Sequence, residues 1–160
     1  MPSAVIKGGM ILMNQRIIRT YSELIVLPTF EERYEYLRLG GTVGEETFGF
    51  DRYLNQKFYR SDPEWLEARD YVILRDTGFN DYCQDLGMDR GHDIVGRILV
   101  HHMNPITKED LLYRTKYLLD PEYLISTIDN THRAIHYGDR SLLITAPVER
   151  TKNDTCPWRR

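Results

Sequence analysis

The sequence predicts an α+β protein: a mainly helical N-terminal part followed by a strand–strand–helix unit towards the C-terminus. Three observations predict it. Helix starts are spelled out twice in the first half, at Thr29 with Glu32 and at Ser61-Asp62-Pro63-Glu64. Two β-rich runs, 93–100 and 124–128, follow in the second half. After the second run, Asp129-Asn130-Thr131 offers cap residues for a helix that Gly138 closes.

Each element has a local reason. Residues 1–20 have weak periodicity and contain Gly8-Gly9, so they read as an extended arm or short strand. Thr29 and Glu32 have capping-box spacing for a helix over 29–39, with Phe30, Tyr34, Leu37 and Tyr36 as its apolar face and Gly40-Gly41 as its stop. Residues 44–50 are a glycine-rich loop, and Phe50, Tyr53, Leu54 and Phe58 form another short apolar face. At 61–64 a polar cap, a first-turn proline and an acid start a helix. That helix carries Trp65, Leu66, Ala68, Val72 and Ile73 inward and ends near Thr77-Gly78. Residues 79–92, rich in Gly, Asp and Asn, read as a loop. The strand over 93–100 delivers His101-His102 at its end, and Asn104-Pro105 breaks it. Thr107 with Asp110 caps a helix of about three turns through Tyr117. Asp120-Pro121-Glu122 then opens a turn before the second hairpin strand at 124–128. The end of the chain, 153–160, reads as a tail that packs through Trp158. The chain thus divides into an N-terminal extension (1–60), a central domain (61–140) and a C-terminal tail (141–160).

Composition excludes several classes. With 160 residues and 18.9 kDa, the chain has room for one domain with extensions. A hydrophobic share of 41% with 28% charged residues is a globular mixture, not that of a wholly disordered chain. Twenty-four acidic against 21 basic residues, net −3, excludes a histone-like or polybasic coat but leaves room for a local basic surface. Two cysteines, Cys83 and Cys156, cannot build a disulfide scaffold or a four-cysteine zinc site. Apolar runs such as 24–27 fall far short of the roughly 18 residues of a membrane span. Asn14-Gln15-Arg16 interrupts the only N-terminal apolar stretch, so no secretory h-region forms. The expectation is a cytoplasmic protein with reduced cysteines and no membrane partner.

The chemistry concentrates in histidine. There are five, and four of them are His101, His102, His132 and His136. His132 and His136, four apart on a helix, share one face and can share a divalent ion. The third ligand comes from the strand that ends in His101-His102. Adjacent strand side chains point to opposite faces, so one of that pair goes to the metal and the other is left for proton transfer. An imidazole, with an ordinary pKa of ~6.5, accepts a proton from water near neutral pH. A metal held by three neutral imidazoles keeps its charge and has open positions for a phosphate oxygen and a leaving group. These parts suit phosphodiester hydrolysis. Singly, an HxxxH pair reads as a solvated or satisfied helix face; it is the combination with His-His at a strand end that points to a metal.

The motifs Ile98-Leu99-Val100-His101-His102-Met103-Asn104-Pro105, Leu124-Ile125-Ser126-Thr127 and Thr131-His132-Arg133-Ala134-Ile135-His136-Tyr137-Gly138 resemble the HNH nuclease family, in particular the small HNH proteins of tailed bacteriophages. The segment 69–78 is similar to the helix leading into such domains, and 21–39 and 50–65 resemble the N-terminal part of the same phage proteins. The resemblance implies that 61–140 is an HNH nuclease domain containing a ββα-metal finger. It assigns His101, His132 and His136 as metal ligands and His102 as general base. It further implies one divalent ion (Mg, Mn, Ni or Zn), double-stranded DNA as substrate, and phage terminase as a partner in genome packaging inside the host cytoplasm. Arg133 on the finger helix and Arg97 at the first strand are the candidate DNA-phosphate contacts, and Arg159-Arg160 adds non-specific attraction.

Two departures from the family pattern stand out. Many relatives bind a structural zinc through two CxxC pairs, whereas this region holds only Cys83, with Ile128 and Thr131 before His132. Hydrophobic packing must therefore brace the finger. The middle Asn of the family name is replaced by Tyr123, leaving Asn104, Asn130 or a backbone group to orient the base. These departures motivate the alternative of a non-catalytic phage assembly or packaging factor on an HNH scaffold. RNA as substrate uses the same ligands.

Overall fold

The fold, taken from a computed structural model that describes residues 5–6, 9–10, 17–40, 52–78, 83–94 and 96–144, combines helices with three two-stranded antiparallel sheets. Strands β1 (Val5–Ile6) and β2 (Gly9–Met10) pair at the N-terminus. Helices α1 (Tyr21–Leu24), α2 (Phe30–Leu37), α3 (Arg52–Ser61) and α4 (Pro63–Thr77) follow. A hairpin of β3 (Gln84–Asp85) and β4 (Met88–Asp89) leads to β5 (Ile98–His102). Short helices α5 (Lys108–Tyr113) and α6 (Lys116–Leu119) cross to β6 (Leu124–Ile128), and α7 (Asp129–Tyr137) closes the sequence of elements that builds the site.

The β5–β6 hairpin is the axis of the molecule. Its register pairs Ile98 with Ile128, His101 with Ile125 and His102 with Leu124. All five residues of β6 are buried, which a two-stranded sheet achieves only if its outer edge is covered. The end of α4 covers it. Arg75 donates to the Leu124 carbonyl (2.7 Å) and Pro121 carbonyl (2.8 Å), and the Asp76 carboxylate accepts from the Ser126 N–H (2.7 Å). Arg75 and Asp76 are themselves paired at 2.7 Å, so the edge is satisfied by a fixed ionic clamp rather than by another strand.

Two apolar clusters sandwich this hairpin. One gathers Leu24, Phe30, Tyr34, Leu37, Leu86, Met103, Ile125 and Ile135; the other gathers Phe58, Trp65, Val72, Val100, Ile106, Leu118 and Leu124. The first joins residues on both sides of the 60/61 boundary: Tyr34 donates to the Ala134 carbonyl (3.0 Å), and the Leu39 N–H to the Ile135 carbonyl (2.9 Å). Helix α3 itself runs through that boundary. Helix α2 forms as its sequence predicts, with the complete Thr29–Glu32 capping box and Phe30, Tyr34 and Leu37 buried. Arg33 is buried on the same face because three carbonyls, of Ile25, Leu27 and Leu86, accept from its guanidinium.

Several expectations are corrected. Residues 79–92 contain the β3–β4 hairpin, turned by Leu86 and Gly87, both at positive φ (54° and 68°). A non-glycine residue at the first of these positions hides the turn from a sequence reading. The first hairpin strand lies at 98–102 rather than 93–100 and so includes both histidines. The helix expected through Tyr117 breaks at Arg114, which adopts φ 48°, ψ 56° and places its guanidinium on Asp62, the cap of α4, at 2.8 Å. Trp65 and Val72 are buried as expected, but Leu66 is exposed on α4. Residues 44–50, the side chains of Tyr53 and Leu54, and the tail with Cys156, Trp158, Arg159 and Arg160 lie outside the described residues. No described helix is long and apolar enough to cross a membrane.

Candidate metal centre and its cavity

Strand alternation sends His101 and His102 to opposite faces of β5, as the sequence requires. His101 meets His132 and His136, whose i, i+4 spacing on α7 puts both rings on the helix face that packs on the hairpin. One nitrogen from each ring lies within 4.8 Å of the other two. His132 Nε2 and His136 Nε2 are 3.0 Å apart, and the buried Nε2 of His101 has no hydrogen-bond partner.

This donor set fits a divalent ion. An ion bound at about 2.0–2.1 Å by three tetrahedrally disposed imidazoles holds their nitrogens about 3.3 Å apart. Burial keeps the rings neutral and ready as ligands. It pushes His101 well below the ordinary imidazole value, assisted by the nearby His132 and His136, and takes His132 down to about 4. His136 is lowered by burial alone.

Helix α7 is held in place by a cap from another element. Its N-cap residue, Ile128, has no side-chain cap bond, and Asp129-Asn130-Thr131 does not supply one. Asp85 of β3 does so from outside: its carboxylate accepts from the Ile128 N–H and the Thr127 hydroxyl (both 3.1 Å) and from the Thr131 hydroxyl. Burial raises this carboxyl to about 6 against the opposing pull of those donors. At the other end Gly138 (φ 63°) closes the helix, where a Cβ would come 2.6 Å from the Leu39 carbonyl oxygen. A carboxylate and a glycine thus brace the helix.

His102 occupies a different environment. Its ring stacks on Trp65 (centroids 4.9 Å, planes 21° apart), with Phe58 and Tyr59 around it. Nε2 lies 2.8 Å from the Leu118 carbonyl, which fixes the proton there, and Nδ1 accepts from the Tyr59 hydroxyl at 3.1 Å. Burial lowers His102 to about 4, so it is neutral at pH 7, and raises the Tyr59 hydroxyl far above its usual value. Of the three candidates for orienting His102, the backbone group is the one in contact. Asn104 is instead clamped on Arg19, accepting from its N–H (2.7 Å) and donating to its carbonyl (2.9 Å).

A cavity of about 580 Å³ joins the two histidine environments. His101, His102, His132 and His136 all line it, so its lining includes side chains from both faces of β5. Arg97 is exposed at its rim, whereas Arg133 is exposed on α7 and does not line it. His92 bonds only its neighbour, Nδ1 lying 3.1 Å from the Asp93 carbonyl. The opposite wall comes from α3 and α4 and includes Asn55, Tyr59, Trp65 and Arg69. Sequence reasoning missed this wall. Its one available signal was the i, i+4 spacing of Asn55 and Tyr59, polar atoms interrupting a face otherwise read as apolar.

Compared with known proteins, the chain matches no family model, no curated protein and no solved structure.

Proposed function

We propose that this protein is a metal-dependent HNH-type DNA endonuclease or nicking enzyme, with β5, β6 and α7 acting as a ββα-metal finger. In this reading it is phage-encoded and works on double-stranded DNA in the host cytoplasm, alongside terminase in genome packaging. The observation that carries it is the convergence of three neutral imidazoles, one with a buried and unpartnered nitrogen, in the lining of a cavity. A buried ring nitrogen without a hydrogen bond is costly unless something occupies it.

His101, His132 and His136 would hold the ion. When bound, a divalent cation there supplies positive charge for the phosphate oxygens and the departing 3′ oxygen. The chain does the rest. Arg97 at the rim attracts the backbone. Leu118 holds the Nε2 proton of His102, which leaves Nδ1 as the basic nitrogen. Nδ1 takes a proton from the attacking water once the Tyr59 hydroxyl turns from it; the aromatic box keeps the ring from swinging.

Plasmid cleavage in Mg²⁺, Mn²⁺, Ni²⁺ or Zn²⁺ tests the reading. The wild type should cut in at least one, His102→Ala should cut about 10²–10⁴-fold more slowly, and His132→Ala should lose both cleavage and the calorimetric signal of metal binding. Equal cleavage by His102→Ala removes the base. One observation favours the second reading, a non-catalytic packaging factor: both ring nitrogens of His102 are already engaged. Metal and DNA binding without cleavage in any of the four ions would select it, and parallel RNA substrates test the remaining choice of nucleic acid.

A further inference from the structure

Asn55 is the unexplained polar group of the cavity. Its Oδ1 is buried and accepts no hydrogen bond, although the residue lines the same space as the histidines. It lies one helical turn before Tyr59 on α3, and the cavity it lines is also lined by His101, His132 and His136. Arg69, half-buried on α4 and 3.6 Å from the exposed Asp70 carboxylate, lines the cavity together with Arg97. Leu66, Leu99 and Ile106 give the same lining an apolar share.

We propose that this cavity receives one unpaired nucleotide of the substrate strand, with Asn55 Oδ1 accepting a hydrogen bond from its base. The inference rests on the nuclease reading for the nature of the ligand. Three features carry it. The volume lies within the roughly 300–1,000 Å³ of small-ligand sites, sized for one nucleotide and not for a duplex. The lining combines arginines, a candidate metal-ligand set and apolar side chains, the chemistry that phosphates and a flat base require. Finally, an orphan acceptor requires a donor. The phosphates and internal sugars of a DNA strand carry only acceptors, so its donors are the N–H groups of the bases. In a duplex those on the pairing edge are occupied, and in an unpaired strand they are open. Within double-stranded DNA the protein therefore favours places where a strand is unpaired: frayed ends, flaps or locally opened sites.

Fluorescence anisotropy of the full chain loaded with Ni²⁺ tests this, using labelled phosphorothioate 12-mers as single-stranded DNA, the same sequence as duplex, and single-stranded RNA. The wild type should bind the single-stranded DNA at least about tenfold more tightly than the duplex, one satisfied buried acceptor being worth that much. Asn55→Leu should erase most of that preference while leaving duplex affinity unchanged. Arg69→Ala, a substitution at a half-exposed position that the fold tolerates, should weaken single-strand binding and flatten its salt dependence. Equal affinity for single strand and duplex, or single-strand affinity unmoved in both variants, overturns the proposal. Much tighter binding of RNA than of single-stranded DNA overturns the base as donor and assigns it to the 2′-hydroxyl. Plasmid cleavage without single-strand preference rejects this inference and leaves the nuclease reading standing; single-strand preference without cleavage does the reverse.

Discussion

His101 and His102 are neighbours on one strand, 2% and 7% exposed, and they differ in everything but identity and burial. His102 has a partner for each nitrogen and an indole stacked on its face. His101 has a bare Nε2 and two further imidazoles edge-on to it, with ring centroids 5.0 and 5.2 Å away. Buried polar atoms are ordinarily paired, and leaving one unpaired costs about 1–3 kcal/mol. The fold gives His102 a partner for each ring nitrogen and leaves the buried Nε2 of His101 without one. Burial alone does not mark a site; burial without a partner does.

The satisfied side can be broken most severely. Trp65 is 3% exposed and packs against Phe58, Tyr59 and His102. Trp65→Ala should cost about 3–5 kcal/mol in chemical denaturation. Because that cluster lies on the far face of β5 from the triad, Ni²⁺ affinity of the folded fraction should change much less than stability. A variant that keeps its stability but loses metal would place the indole on the wrong side of this comparison.

The open side rests on α7, and α7 rests on Asp85. The carboxyl, raised to about 6 from its ordinary 3.8, favours the folded state fully only below its unfolded value, and that contribution is lost as pH rises through 6. Asp85→Asn keeps an acceptor for Ile128 and Thr127 and can donate to the Thr131 hydroxyl, without the charge. The variant should match the wild type near pH 4 and become the more stable of the two by about 2–3 kcal/mol above pH 7. Denaturation midpoints at both pH values read this. A wild type that gains on the variant as pH rises would show the carboxylate to be better satisfied charged than neutral. Asp85→Ala, which orphans all three donors, should be destabilised at either pH.

Much of this asymmetry was legible in the sequence, and the reason lies in which forces act locally. The i, i+4 spacing of His132 and His136, the alternation that separates His101 from His102, and the caps at Thr29 and Asp62 depend only on helix and strand geometry. What escaped depends on distant chain. Asp85 reaches α7 across 43 residues, and nothing around Gln84-Asp85 announces a helix cap. Tyr59 lies 43 residues before the histidine it touches. The break at Arg114 comes from its guanidinium finding Asp62 across 52 residues, a tertiary contact overriding a helix-compatible segment. Which of the two arginines reaches the cavity was also a matter of surroundings. Arg133 sits next to His132 in sequence but off the cavity, and Arg97, four residues before His101, is an exposed residue of its lining.

The sharpest form of the comparison exchanges each histidine for the same apolar ring. His102→Phe preserves the stack on Trp65 but leaves the Leu118 carbonyl and the Tyr59 hydroxyl without their partner, so it should lose about 1–3 kcal/mol. His101→Phe removes a nitrogen that has no partner to lose. Without metal it should therefore be close to neutral, within the roughly 1–1.5 kcal/mol that a shape change in a packed site costs. With metal the order inverts. Wild type and His102→Phe should gain stability as Ni²⁺ is added, because an ion that binds only the folded state stabilises it by mass action. His101→Phe should gain little, having two ligands in place of three. Thermal melts of the three proteins with and without Ni²⁺ are sufficient. Equal destabilisation by the two substitutions in the metal-free protein would mean that the fold relies on His101 as much as on its neighbour, with no nitrogen left over for an ion.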